Sequence, residues 1–179
     1  MADHKIVITG GPGTGKTSVI NELVKSSYQC YPEISRQIIL EAREAGIEQL
    51  FVEDPLLFSQ KLLEGRVQQY KNAQIATEKT IFLDRGIPDI VAYMEFSKEK
   101  SPPAFTEACK SNRYSSVFIL PPWSEIHTTD NERYESFEQT IEIHHHLKAT
   151  YENFGYDCTI VPFGSISERR DFILKNLNF

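Results

Sequence analysis

The sequence has no apolar run long enough to span a membrane. Its first residues, Met1-Ala2-Asp3-His4-Lys5, pass directly into a strand-like segment rather than a signal-peptide core. Cysteine is scarce: Cys30, Cys109 and Cys158 are too widely spaced for a zinc pattern or a disulfide framework. Free thiols suit a reducing compartment, so the expectation is a cytoplasmic protein without membrane insertion. A basic excess is also missing, since 19 Lys and Arg face 25 Asp and Glu, giving a net charge of −6. A nucleic-acid partner is therefore not expected, although a local basic pocket for a phosphate group is compatible with this balance. Neither an internal repeat nor a low-complexity linker interrupts the chain. Its 179 residues, 40% of them apolar, imply one globular domain over residues 1–179.

What is present is an alternation of short strand-like runs with longer helical ones, the pattern of an α/β fold around a parallel sheet. Strands are expected at Lys5 to Thr9, Tyr28 to Tyr31, Thr80 to Asp84, Ser116 to Leu120 and Cys158 to Pro162. Helices are expected from Gly15 to Lys25 and from Glu33 to Ala45, the latter with Ile34, Ile38, Ala42 and Ala45 on one face before Gly46. Asp54-Pro55 has cap and first-turn chemistry for a long helix to about Glu78, with Leu63, Val67 and Tyr70 as its packed face. Another helix follows Pro88. Glu138 to Phe154 places Ile143, Leu147, Tyr151 and Phe154 in register, and Ile166 to Leu177 closes the chain. Residues 97–103 and 121–131 read as irregular.

After the first strand comes Gly10-Gly11-Pro12-Gly13-Thr14-Gly15-Lys16-Thr17, a full match to G-x-x-x-x-G-K-[ST] in the strand, loop and helix context that motif requires. Glycines let the backbone wrap a phosphate with its N–H groups pointing inward, where a Cβ would obstruct. The helix that begins here, with Ser18 in its first turn, adds its dipole to the same anion site. Lys16 is placed to reach the β- and γ-phosphates, and the Thr17 hydroxyl to bind the Mg²⁺ that bridges them. The cofactors expected are Mg²⁺ with ATP or GTP.

Ile81-Phe82-Leu83-Asp84 is an apolar strand ending in a carboxylate, which sheet topology would set beside the phosphate loop. Asp84 is the candidate second metal contact; a strand-ending Asp that merely caps the next turn is the alternative. Arg85-Gly86-Ile87-Pro88-Asp89 follows. The acid-Arg pair resembles that of P-loop nucleoside and nucleotide kinases, in which the acid serves the metal and the Arg contacts phosphate or substrate. The wider set, Glu33-Ile34-Ser35-Arg36, Asp84 to Asp89, Arg133, Tyr151, and Gly155-Tyr156 before a strand ending at Pro162, resembles the NadR-like ATPase/kinase domain family, filed among the AAA domains.

That resemblance covers nearly the whole chain and implies a three-layer P-loop NTPase fold with a five-stranded parallel sheet flanked by helices. Glu33 and Arg36, three residues apart at a helix start, share a face. By resemblance to deoxynucleoside kinases, Glu33 accepts the proton of an attacking hydroxyl and Arg36 binds the acceptor, with Arg85 and Asp89. The alternative is a Glu that complements the helix dipole and a solvated Arg paired with it. Residues 123–140, after Pro121-Pro122, form the candidate lid. Arg133 either swings from it over the phosphates or is a solvated charge.

His144-His145-His146 does not form a metal site, because consecutive helix positions point about 100° apart. Tyr114, Trp123, Tyr134 and Phe137 are candidates for stacking on a base or sugar, or for packing. The reaction read from these residues is Mg-ATP-dependent phosphotransfer to a nucleoside-like small molecule. Glu33 or Asp84 would assist the acceptor hydroxyl; Lys16 and Arg133 would neutralise the transferred phosphate. The competing reading is a nucleotide-dependent switch or scaffold with slow hydrolysis and a protein partner or phospholipid headgroup. The chain has no Asn-Lys-x-Asp for guanine, no Asp-x-x-Gly after the third strand, and Arg85 where AAA+ motors carry a water-polarising Glu. These absences favour kinase-like chemistry.

Overall fold

A computed structural model describes residues 4–127 and 135–177; Arg133, Tyr134 and the middle of the candidate lid lie outside them. Five strands, β1 (His4–Gly10), β2 (Gln29–Tyr31), β3 (Thr80–Asp84), β4 (Ser116–Leu120) and β5 (Cys158–Ile160), form one sheet in the order β2-β3-β1-β4-β5. Every neighbouring pair is parallel, as expected. The chain leaves β1 toward β2 on one side and leaves β3 toward β4 on the other. A crevice therefore opens beyond the carboxyl ends of β1 and β3, where the connections diverge.

Strand periodicity divides the core into two layers. Ile6, Ile8, Phe82, Phe118 and Leu120 point to one face, where they meet Val19, Ile20 and Leu23 of α1 (Lys16–Lys25) and Ile173 of α8 (Ile166–Lys175). Val7, Ile81, Leu83, Val117 and Ile119 point to the other. There they are covered by α2 (Ser35–Glu44), α3 (Leu50–Glu53), α4 (Pro55–Ile75), α5 (Ile87–Phe96), α6 (Pro103–Ser111) and α7 (Phe137–Asn153). Both faces being buried, the middles of the central strands, Ile6 to Ile8, Ile81 to Leu83 and Val117 to Leu120, are continuously apolar.

The helices follow the expected segments with informative differences. Asp54 caps α4 by accepting from Leu57 N at 3.0 Å, and Pro55 occupies its first turn. That helix stops at Ile75, short of Glu78, because Ala76 turns to extended backbone. Its buried stripe is Ser59, Leu62, Arg66, Gln69 and Ala73, with the expected Leu63, Val67 and Tyr70 only half-buried beside it. Ala45, expected on the packed face of α2, is exposed. α7 begins at a capping box in which Ser136 and Gln139 bond each other's backbone N–H, and it buries Ile143, Leu147 and Tyr151 as its period requires. The periodicity had left α3 and α6 unassigned; both are short, and α6 starts at Pro103 within an irregular polar stretch.

Candidate functional site

The phosphate loop joins β1 to α1. Gly15 has φ +79°, in the left-handed region, and a Cβ there would lie 2.9 Å from the Arg169 guanidinium. Glycine meets both demands at once. The Thr14 hydroxyl donates to Gly11 O at 2.9 Å and fixes the loop from within, while Arg169 of α8 donates to Thr14 O at 2.9 Å from outside. The described flanks of the candidate lid also abut the loop: Cβ atoms at Gly11 and Gly13 would meet Thr140 and His127 at 2.9 and 2.7 Å.

Parallel pairing sets Ile8 opposite Asp84, so the carboxylate arrives beside the loop as expected. Lys16 and Asp84, both buried, form a direct ion pair between Nζ and Oδ1. Burial and then the charge of Arg85 pull the Lys16 ammonium below the usual lysine range, against the opposite effects of Asp84 and Glu33. Thr17 and Ser18 are exposed in the first turn of α1 and line the crevice. A hydroxyl and one carboxylate are hard oxygen donors, and among the described residues no cluster of three acidic, His or Cys side chains forms a cation cage. Such a set fits Mg²⁺, which binds through one or two protein oxygens and substrate phosphates.

A second ionic cluster occupies the same crevice. Glu33 Oε2 meets Arg85 Nε at 2.5 Å; Glu33 Oε1 accepts from Arg66 Nη2 at 3.2 Å and from the backbone N–H groups of Ile34 and Ser35 at 3.0 and 3.2 Å. Burial pushes the Glu33 carboxyl up, but Arg66, Arg85 and Lys16 outweigh it and hold the pKa down at about 2. Arg85 Nη1 also donates to Asp89 Oδ1 at 3.0 Å, and its guanidinium lies 5.1 Å from the centre of the Tyr93 ring. Its backbone is left-handed, with φ 74°, a conformation that costs a non-glycine residue about 1–3 kcal/mol and recurs where a side chain is aimed for function.

Asp89, expected to contact an acceptor, lines the crevice with its carboxylate engaged by the protein's own donors. It is completely buried, and its two oxygens take four donors: Thr9 Oγ1 at 2.5 Å, Tyr151 OH at 2.6 Å, Arg85 Nη1, and Gly86 N at 2.9 Å. The geometry makes it a support for Arg85. Arg36 is exposed and lines the crevice. Trp123 also lines it and stacks on Phe163, with ring centres 5.0 Å apart. Tyr114 is a packing residue whose hydroxyl accepts from Ile87 N, and Phe137 lies edge-on to His127. Of the three histidines on α7, His144 and His146 are half-buried and His145 is exposed.

Two buried cations, Arg66 and Arg169, escaped the sequence reading. Arg66 donates to Gly86 O at 2.9 Å as well as to Glu33, tying α4 to the end of β3. Each lies on an otherwise buried stripe, Leu62-Arg66-Ala73 and Arg169-Ile173, so a charge in helical register with apolar residues was the available signal.

The crevice has a volume of about 1480 Å³ and runs from Trp123, Ile166 and Arg169 past the phosphate loop to Glu33, Phe58, Ile90 and Tyr93. Among solved structures, deoxyadenosine kinase from M. mycoides, determined with bound dATP, matches with a TM-score of 0.69 at 15% identity, over 98% of this chain and 100% of that one. NadR in complex with NR matches with a TM-score of 0.71 at 19% identity, over 96% of this chain and 48% of that one. Thymidylate kinase from Ehrlichia chaffeensis matches with a TM-score of 0.61 at 13% identity, over 99% and 100%. No curated protein matches the sequence. The fold is that of these P-loop kinases, and the loop of residues 10–17 stands beside Asp84 at the carboxyl ends of β1 and β3. The chain belongs to the AAA domain family, whose model matches residues 5–169.

Proposed function

We propose that this protein is a Mg²⁺-dependent phosphotransferase that moves the γ-phosphoryl group of ATP or GTP to a hydroxyl of a nucleoside-like small molecule. The observation that carries this reading is the shared crevice: the Lys16–Asp84 pair and the Glu33–Arg85 pair face one cavity of about 1480 Å³. Sites for a single small ligand span roughly 300–1,000 Å³, so this one has room for a nucleotide and an acceptor together.

The backbone of residues 10–15 and the N-terminus of α1 bind the phosphates, and Lys16 leaves Asp84 to pair with them. Thr17 and Asp84 would hold Mg²⁺, which would offset the negative charge of the phosphates. With Asp84 committed beside the loop, Glu33 is the residue that accepts a hydrogen bond from the acceptor hydroxyl. Its low pKa keeps it ionised and weakly basic. That suffices for a loose phosphoryl-transfer transition state, in which orienting the attacking oxygen matters more than early proton removal. Arg85, held by Glu33 and Asp89, supplies positive charge next to the transferred group.

The aromatic and apolar wall formed by Phe51, Phe58, Ile90 and Tyr93 suits the flat, partly apolar body of a nucleoside. Glu33→Gln tests the assignment. Nucleotide affinity should stay near wild type while acceptor-dependent kcat falls about 10²-fold or more, because the neutral amide orients the hydroxyl less well and no longer holds Arg85 and Arg66. Unchanged acceptor-dependent turnover in this variant would remove Glu33 from the reaction. Tight nucleotide binding without acceptor-stimulated turnover in the wild type would favour the switch reading instead.

A further inference from the structure

Arg169 presents a charge problem that nothing within the described residues resolves. It is 6% exposed, yet its hydrogen-bond partner is the neutral Thr14 carbonyl, its guanidinium lies 5.6 Å from the centre of the Trp123 ring, and its Nε is buried without a partner. The acids nearby are committed elsewhere. Glu168 bonds Ser165 at the start of α8, while Glu22 and Asp171 pair with Arg170 at 3.2 and 2.7 Å. Among the described residues no carboxylate raises the pKa of Arg169, which burial lowers. A buried cation without a counter-charge is costly, and natural proteins seldom keep one without a partner.

The missing partner is indicated by position. Arg169 lines the crevice beside the phosphate loop, with its guanidinium nitrogens 2.9 Å from where a Gly15 Cβ would lie. We propose that Arg169 is a nucleotide-binding residue whose counter-charge is the polyphosphate of the bound nucleotide, so that ligand entry neutralises a cation left without an ion-pair partner among the described residues. The inference rests on the nucleotide reading of the phosphate loop and deepens it. It adds a positive group from the C-terminal helix to those of the loop. It also implies that α8 is held more firmly against β1 and α1 when the site is filled, because the same guanidinium bonds Thr14 O.

The test compares wild type, Arg169→Met and Arg169→Lys by calorimetric titration with Mg-ATP, Mg-GTP and Mg-tripolyphosphate, and by thermal unfolding with and without these ligands. Arg169→Met should raise Kd for the nucleotide and for tripolyphosphate in parallel, by about tenfold to a hundredfold, the range for losing a charge-assisted hydrogen bond. Arg169→Lys should recover most of that loss. Without ligand, Arg169→Met should unfold at or above the wild-type temperature, since a buried unpaired charge has been removed.

Lysine binding as weakly as methionine would overturn the inference, because a buttress for the loop rather than a charge would then be required. A loss for Mg-ATP without a loss for tripolyphosphate would also overturn it, by assigning Arg169 to the base through Trp123. Wild-type binding equalled by Arg169→Met overturns this inference alone. Wild type that binds none of the three ligands overturns the nucleotide reading and this inference together.

Discussion

Glu33 shows how far neighbours can set the behaviour of one side chain. Two arginines and two backbone N–H groups converge on its carboxylate and keep it ionised in spite of burial. Its folded pKa of about 2 lies below the ordinary value of 4.5, so its contribution to stability is complete above about pH 4.5 and is lost as pH falls toward 2. That contribution is on the order of 3 kcal/mol. Urea unfolding from pH 6 to pH 2 should therefore show a steeper acid loss in wild type than in Glu33→Gln; identical slopes would contradict the ion network. At this scale the phosphate loop was legible because its function is carried by eight consecutive residues whose types have few other uses. Arg66 and Arg169 were not, because each depends on partners 20 or more positions away, and the burial of Asp89 was not, because it depends on Thr9 and Tyr151, 80 and 62 positions away.

Secondary-structure elements meet most tightly at the turn from β3 into α5. Gly86 donates to Asp89, accepts from Arg66, and leaves no space for a side chain: a Cβ would stand 2.5 Å from the Tyr151 hydroxyl and 3.0 Å from Val7 Cγ2. Gly86→Ala should thus destabilise the fold by about 1–3 kcal/mol, as overpacking of a buried site does, and displace Arg85 with it. Thermal unfolding combined with acceptor-dependent turnover checks both effects, and a variant that keeps wild-type stability and activity would show the turn to be looser than described. The strands β1, β3 and β4 were readable from short apolar runs, and α7 from its regular apolar stripe. The packed face of α4 was misplaced by one position because it turns Arg66 and Gln69 inward, where Arg66 serves an ionic cluster and Gln69 bonds Pro32 O, so polarity no longer marked the outside. α6 escaped because nine residues offer too few periods to stand out from a polar connection.

As a whole molecule the protein is a parallel sheet with one working edge. The carboxyl ends of β1, β2 and β3 deliver the loop of residues 10–17, Glu33 and Asp84-Arg85 to the same crevice, and helices from both faces, α8 with Arg169 and α4 with Arg66, add cations to its lining. Among the described residues no helix is long and apolar enough to cross a membrane. Sequence could announce this architecture because the alternation of strands and helices is written locally, whereas the far wall of the crevice is assembled from α2, α3, α4 and α5 and is not. The most direct test of the central claim is the rate of nucleotide consumption with Mg-ATP and Mg-GTP, each with and without a panel of nucleosides that includes nicotinamide riboside. Turnover should rise with at least one nucleoside, yield its monophosphate, and vanish in Lys16→Ala with the fold intact. Turnover unaffected by every nucleoside, or surviving in Lys16→Ala, would contradict the account.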